Sequence, residues 1–151
     1  MNESARNRWL SDVVRRAGAR VLSTVGNMMQ EPGWPDRYWS HPLLDCWVEG
    51  KTADAPLGGK QRAVCDDLLA RGTPVVVARY WPELLTLEIP TYGKVCAYAY
   101  SALSQRGGGL QLLREAAEQL EVAFNDSTFR HRRPGWTRKT GAHGGARRDE
   151  P

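Results

Sequence analysis

Four side chains in the first half of the sequence have the types and spacing for metal-assisted phosphodiester chemistry. Asp36 follows the Gly33-Trp34-Pro35 bend. Glu49 and Lys51 lie two residues apart in a strand-like run, and Gln61 opens the next helical segment. Phosphodiester hydrolysis needs a divalent ion, an activated water and stabilisation of transition-state charge. Mg²⁺ prefers oxygen ligands and keeps several waters, so one or two carboxylates and a substrate phosphate suffice. Asp36 and Glu49 can supply the carboxylates, and the Gly50 backbone carbonyl can complete the shell. The Lys51 ammonium can position a hydroxide or neutralise the scissile phosphate. Singly, each piece is ordinary: Glu-x-Lys is commonly a solvated strand face, and Asp in a Pro/Gly bend is usually a turn residue. The ordered combination is what points to a site.

The elements that must position these groups are legible in the pattern. Leu44 to Lys51 alternates, with Leu44, Cys46 and Val48 on one face and Trp47, Glu49 and Lys51 on the other. Lys51 then stands about 6.6 Å beyond Glu49, and Asp45 about 13 Å away on the same face, outside the site. A short strand near Arg37 and a turn at Ser40-His41-Pro42 predict an antiparallel hairpin that brings Asp36 beside Glu49. Residues 60–71 predict a helix with Val64, Cys65, Leu68 and Leu69 inward, and Gln61 shares that phase. Pro74 to Ala78 predicts a strand buried on both faces. Leu84 to Ile89 and Val95 to Tyr100 are two further strands.

The N-terminal 3–17 segment predicts an amphipathic helix stopped by Gly18, followed by a short strand at 19–25. Glu3 stands seven residues before Leu10, near the apolar stripe, an awkward place for a carboxylate without a cation. Leu110 to Phe124 predicts a second amphipathic helix, set apart from the core by Gly107-Gly108-Gly109. Beyond Asn125 the chain turns polar, Gly-rich and basic, and is expected to be disordered without a ligand. The expected organisation is a core over 1–102, a C-terminal helix over 103–126 packing on or near it, and a tail over 127–151.

Charge is distributed unevenly. The net charge is +4, but residues 127–151 hold seven Lys/Arg against two acids, leaving 14 against 15 in the rest. A local basic arm suits a polyanion, because Lys and Arg release condensed counterions from phosphates. Arg6, Arg8, Arg15, Arg16, Arg37, Arg130, Arg132, Arg133, Arg138 and Lys139 are the candidate DNA contacts. Arg37 could instead pair with Glu3 or Asp45. Trp34 could stack on a base, although packing of the bend is favoured. Trp47 could floor the cleft or lie under the N-terminal helix. His41, His131 and His143 lack metal-ligand spacing and read as surface residues. The three scattered cysteines indicate neither a disulfide framework nor a zinc site. No apolar run is long enough for a membrane span, and a reducing cytoplasm is expected.

The order of these motifs resembles the PD-(D/E)xK nuclease superfamily, and within it the small VRR-NUC branch found in phages and bacteria. The resembling segments are Glu3 on an early helix, Gly33-Trp34-Pro35-Asp36-Arg37, Trp47-Val48-Glu49-Gly50-Lys51, Gln61, and Arg71-Gly72-Thr73-Pro74-Val75-Val76-Val77. They cover about half the chain. The resemblance implies an α/β fold with a mixed β-sheet flanked by helices. It also implies a Mg²⁺-dependent DNA endonuclease, with Mn²⁺ able to substitute, in a bacterial cell or phage-infected host. Asp36 and Glu49 would ligate the metal, with Glu3 a conditional further member. Lys51 would be the catalytic lysine and Gln61 the polar residue that the family places at the helix start. Branched DNA of the Holliday-junction kind is the expected substrate, and two symmetric cuts would call for a homodimer. The alternative is a non-catalytic DNA-binding protein with the same fold. Beyond Ala102 no counterpart is matched.

Overall fold

A computed structural model describes residues 2–24, 31–130 and Lys139. The expectations at His131, Arg132, Arg133, Arg138 and His143 lie outside the described residues.

Helix α1 (Glu3–Arg16) starts where the Asn2 side chain accepts a hydrogen bond from the Ala5 N–H at 2.8 Å. Its inward stripe is Leu10, Val13 and Val14, joined by the polar Asn7 and Ser11. Strand β1 (Arg20–Ser23) follows, then β2 (Arg37–Ser40) and β3 (Asp45–Thr52). The β2–β3 pair is the expected antiparallel hairpin, in register from Arg37↔Val48 to Ser40↔Asp45. Its His41 is not a surface residue, being only 8% exposed. The Leu43 N–H donates to His41 Nδ1 at 3.0 Å, so the ring proton sits on Nε2 and meets the Ala17 carbonyl at 2.9 Å. The ring ties the hairpin turn to the end of α1, a tertiary contact that spacing alone does not reveal.

Helix α2 (Gly59–Ala70) crosses from β3 to β4 (Val75–Tyr80), which runs parallel to β3 with Glu49 opposite Val77. Val75, Val76, Val77 and Ala78 are fully buried, as a β-branched run covered on both faces should be. Strands β5 (Leu84–Ile89) and β6 (Gly93–Ala99) continue antiparallel. The result is one six-stranded mixed sheet in the order β1-β2-β3-β4-β5-β6. Tyr100, expected to end a strand, instead opens the short helix α3 (Tyr100–Ser104).

Helix α4 (Gly108–Asn125) is the expected C-terminal helix, but its glycines differ from expectation. Gly108 and Gly109 do not set it apart; they form its buried first turn. A Cβ on Gly109 would come within 2.4 Å of the Val13 carbonyl oxygen, so the glycine lets α4 lie directly on α1. Leu112, Leu113, Ala116, Ala117, Leu120 and Phe124 join the same core as α1 and the sheet. The boundary expected after Ala102 therefore falls inside α3. The chain also stays on the body past Asn125: Phe129 is buried, with ring contacts to Tyr92 at 5.3 Å and Phe124 at 5.9 Å.

Candidate active site

The site is built where the hairpin and the β3–α2–β4 crossover meet. Asp36 lies just before β2, and its backbone is fixed from β1. Thr24 donates to the Asp36 carbonyl from both N–H (2.9 Å) and Oγ1 (3.1 Å), and Oγ1 also reaches the Pro35 carbonyl at 2.7 Å. The bend before Asp36 rests on α2. Gly33 has φ +93°, and a Cβ there would meet the Lys60 carbonyl oxygen at 2.6 Å. The Asp36 carboxylate is held by β3, accepting from the Gly50 N–H at 3.1 Å.

Glu49 projects from the β3 face that α2 covers and is only 2% exposed. One carboxylate oxygen, Oε2, accepts from Gln61 Nε2 at 3.0 Å and lies 3.9 Å from Lys51 Nζ. Gln61 is itself oriented, because its Oε1 accepts from the Gly58 N–H at 2.9 Å at the start of α2. The other Glu49 oxygen, Oε1, is buried with no hydrogen-bond partner. Such an atom in a native interior calls for an explanation, and an ion is one of the few that suit a carboxylate.

The electrostatics agree with that reading. Burial, then the neighbouring Asp36 charge, pushes the Glu49 carboxyl up to about 8, against the pull of Lys51 and the Asp36 N–H. Burial also raises Asp36, opposed by the Gly50 N–H and the Arg37 guanidinium. A carboxylate whose charge is disfavoured by burial and by a second carboxylate beside it is what a divalent cation relieves. Burial and the Glu49 carboxylate hold the Cys65 thiol up at about 12, so it is an inert wall of the site.

The strand ladder directs a third oxygen the same way. Trp47 and Ala53 give their N–H groups to β4, at Pro74 and Tyr80. By alternation Gly50 turns its N–H and carbonyl to the β2 side. The β2 ladder ends there, at Arg37↔Val48, beside Asp36. Asp36, Glu49, Lys51, Gln61 and the Gly50 peptide are thus brought together.

Glu3 stands near but is engaged elsewhere. Its Oε2 accepts from the Thr52 N–H at 3.0 Å and Oγ1 at 3.3 Å, although its charge is felt by both Asp36 and Glu49. Among the described residues no group of three or more His, Cys, Asp or Glu side chains could hold a metal ion. The oxygens that could hold a metal here are two carboxylates and a backbone carbonyl, a donor set that suits Mg²⁺ better than Zn²⁺.

Other expectations sort by contact. Arg6 faces inward: its Nη1 donates to the Trp81 carbonyl (3.0 Å) and Tyr100 hydroxyl (2.8 Å), so it braces α1. Arg37 pairs with neither Glu3 nor Asp45; its Nη1 donates to the Asp36 carbonyl at 3.1 Å. Arg8 and Arg16 are exposed, Arg15 pairs with Asp12 at 3.2 Å, and Arg130 with Asp66 at 3.8 Å. Lys139 meets Asp45 at 2.6 Å, at the end of the hairpin away from Asp36. Trp34 packs edge-on against Trp47 at 5.1 Å, and Tyr38 meets Trp47 at 4.9 Å. Trp47 thus belongs to the site face and not to the floor under α1. Asn7 and Thr52 were missed. Asn7 could have been found, since it lies four residues after Glu3 and three before Leu10 on one helical face.

No protein-family model and no curated protein matches this sequence.

Proposed function

We propose that this protein is a Mg²⁺-dependent endodeoxyribonuclease, with Asp36, Glu49 and the Gly50 carbonyl as the metal's protein ligands. One observation carries the reading: a 2%-exposed carboxylate, Glu49, whose Oε1 has no partner and which shares its corner with Asp36. When bound, the ion supplies polarisation of a phosphoryl oxygen and a water acidic enough to attack near neutral pH. Gln61, oriented by the α2 start, holds Glu49 through Oε2. Lys51, with its ammonium 3.9 Å from Glu49 Oε2, is placed to hold a hydroxide or a phosphate oxygen. Arg8 and Arg16 remain free of the inward role that Arg6 has, and with the basic C-terminal arm they supply sequence-independent backbone grip. The choice of DNA, and of branched DNA within it, rests on the resemblance of the motif order.

Supercoiled plasmid and a synthetic four-way junction, incubated with Mg²⁺, Mn²⁺ or EDTA, test this directly. Metal-dependent nicking or resolution is expected, lost in Glu49→Gln and Lys51→Ala while both variants still shift DNA in a gel. Cleavage retained by both variants would remove the assignment. A second reading, a DNA-binding protein that keeps the fold without catalysis, draws on the lack of a third acidic ligand among the described residues. It predicts a band shift with no cleavage under any metal condition.

A further inference from the structure

The face of β3 opposite Glu49 carries a contact that the reading above does not use. Asn7 of α1 is 9% exposed, and its side-chain amide lies against Gly50. A Cβ on Gly50 would stand 2.0 Å from Asn7 Oδ1 and 2.8 Å from its Cγ, so only glycine admits the amide there. The amide is fixed from the far side as well. The Tyr80 hydroxyl, on a ring 2% exposed, donates to Asn7 Oδ1 at 2.7 Å. Tyr80 ends β4 opposite Thr52, two residues beyond Gly50's own partner Ala78. A buried asparagine locked by a buried tyrosine thus presses on the one residue whose backbone faces Asp36 with both its polar groups. The Gly50 N–H holds Asp36, and by strand alternation the Gly50 carbonyl, in the next peptide group, faces the same side.

We propose that Asn7 is a positioning residue for the metal site, acting through the Gly50 backbone. The inference rests on the metal-binding reading of Asp36 and Glu49. Gly50 has no side chain to fix its own torsions, and glycine is the residue most free to drift. Asn7 supplies the missing wall. Its amide, oriented by Tyr80, holds the Gly50 carbonyl and N–H at the angle that keeps Asp36 beside Glu49. An apolar residue of the same volume would fill the space but leave the buried Tyr80 hydroxyl without an acceptor, and so would not lock the contact.

The test measures Mn²⁺ binding by calorimetry without nucleic acid, together with thermal midpoints in EDTA and junction binding in EDTA. The wild type is compared with Asn7→Ala and Tyr80→Phe. Groups that orient a metal's ligands change its affinity about 10- to 100-fold. Asn7→Ala should therefore weaken Mn²⁺ at least about tenfold, and Tyr80→Phe should weaken it less, while junction binding in EDTA stays at the wild-type level. If Asn7 only fills space, the midpoint falls but the folded variant binds Mn²⁺ with wild-type affinity, and the proposal is overturned. If Asn7→Ala does not fold, Tyr80→Phe decides, because unchanged Mn²⁺ affinity there overturns it equally. A wild type that binds no Mn²⁺ removes the parent reading and this inference together, an outcome distinct from a wild type that binds while both variants match it.

Discussion

At the scale of single residues, Glu49 and Gly50 are the positions under tightest constraint. Glu49 is nearly inaccessible, yet half of its carboxylate lacks a partner. Its folded-state pKa, about 8, lies above the ordinary 4.5. Between those values the folded protein keeps a proton that the unfolded chain has lost, so stability falls as pH rises from about 4.5 to about 8. Glu49→Gln removes this penalty. In EDTA its thermal midpoint should exceed the wild type's at pH 8.5, with the gap shrinking towards pH 4.5; parallel curves would show that Glu49 carries no such strain. Metal has the opposite dependence. Because ligation needs the deprotonated carboxylate, the Mn²⁺-induced rise in midpoint should grow from pH 6 to pH 8 and be absent in Glu49→Gln.

At the scale of elements, the site depends on how closely backbones approach. The Gly33 bend lies on the first turn of α2, and α4 lies on α1 through Gly109. Gly109→Ala sets a methyl 2.4 Å from the Val13 carbonyl oxygen, which neither helix backbone can absorb without moving. A loss of about 1–3 kcal/mol is expected, the usual cost of overpacking, read from urea unfolding with the slope unchanged. A midpoint equal to the wild type's would mean that α4 can shift freely, against its fully buried stripe. The hairpin, the α2 helix with its doubly buried following strand, and the inward phase of Gln61 were all readable, because period-2 and period-3.6 patterns report which face a residue takes. The glycine run before α4 was misread as a spacer. Glycine marks flexible links and close packing alike, and only the neighbouring helix tells them apart.

At the scale of the whole molecule, one core joins α1, the sheet and α4, and the chain holds to it through Phe129. Phe129→Ala should cost about 3 kcal/mol, as truncation of a buried aromatic ring does. Wild-type stability in that variant would show that residues 126–130 only rest on the surface. Removing residues 131–151 takes away six of the Lys/Arg and two acids. Duplex affinity should then fall, and the plot of log K against log salt should flatten, since fewer counterions are released. An unchanged slope would place DNA contact elsewhere. Among the described residues no helix is long and apolar enough to cross a membrane.

The sequence by itself determined which face of β3 carries Glu49 and Lys51, that Asp36 comes alongside them, and that Gln61 points at them. Those are local facts, set by strand and helix periods and by one short hairpin. The tertiary structure alone decided what each group meets. Glu3 turned to Thr52, Arg6 turned inward to Trp81 and Tyr100, and His41 became the tie between a turn and α1. It also decided that Gly50 is glycine because Asn7 lies on it, forty-three positions earlier in the chain. Contacts between residues so far apart depend on how layers stack, and periodicity along one element contains no information about the element packed against it.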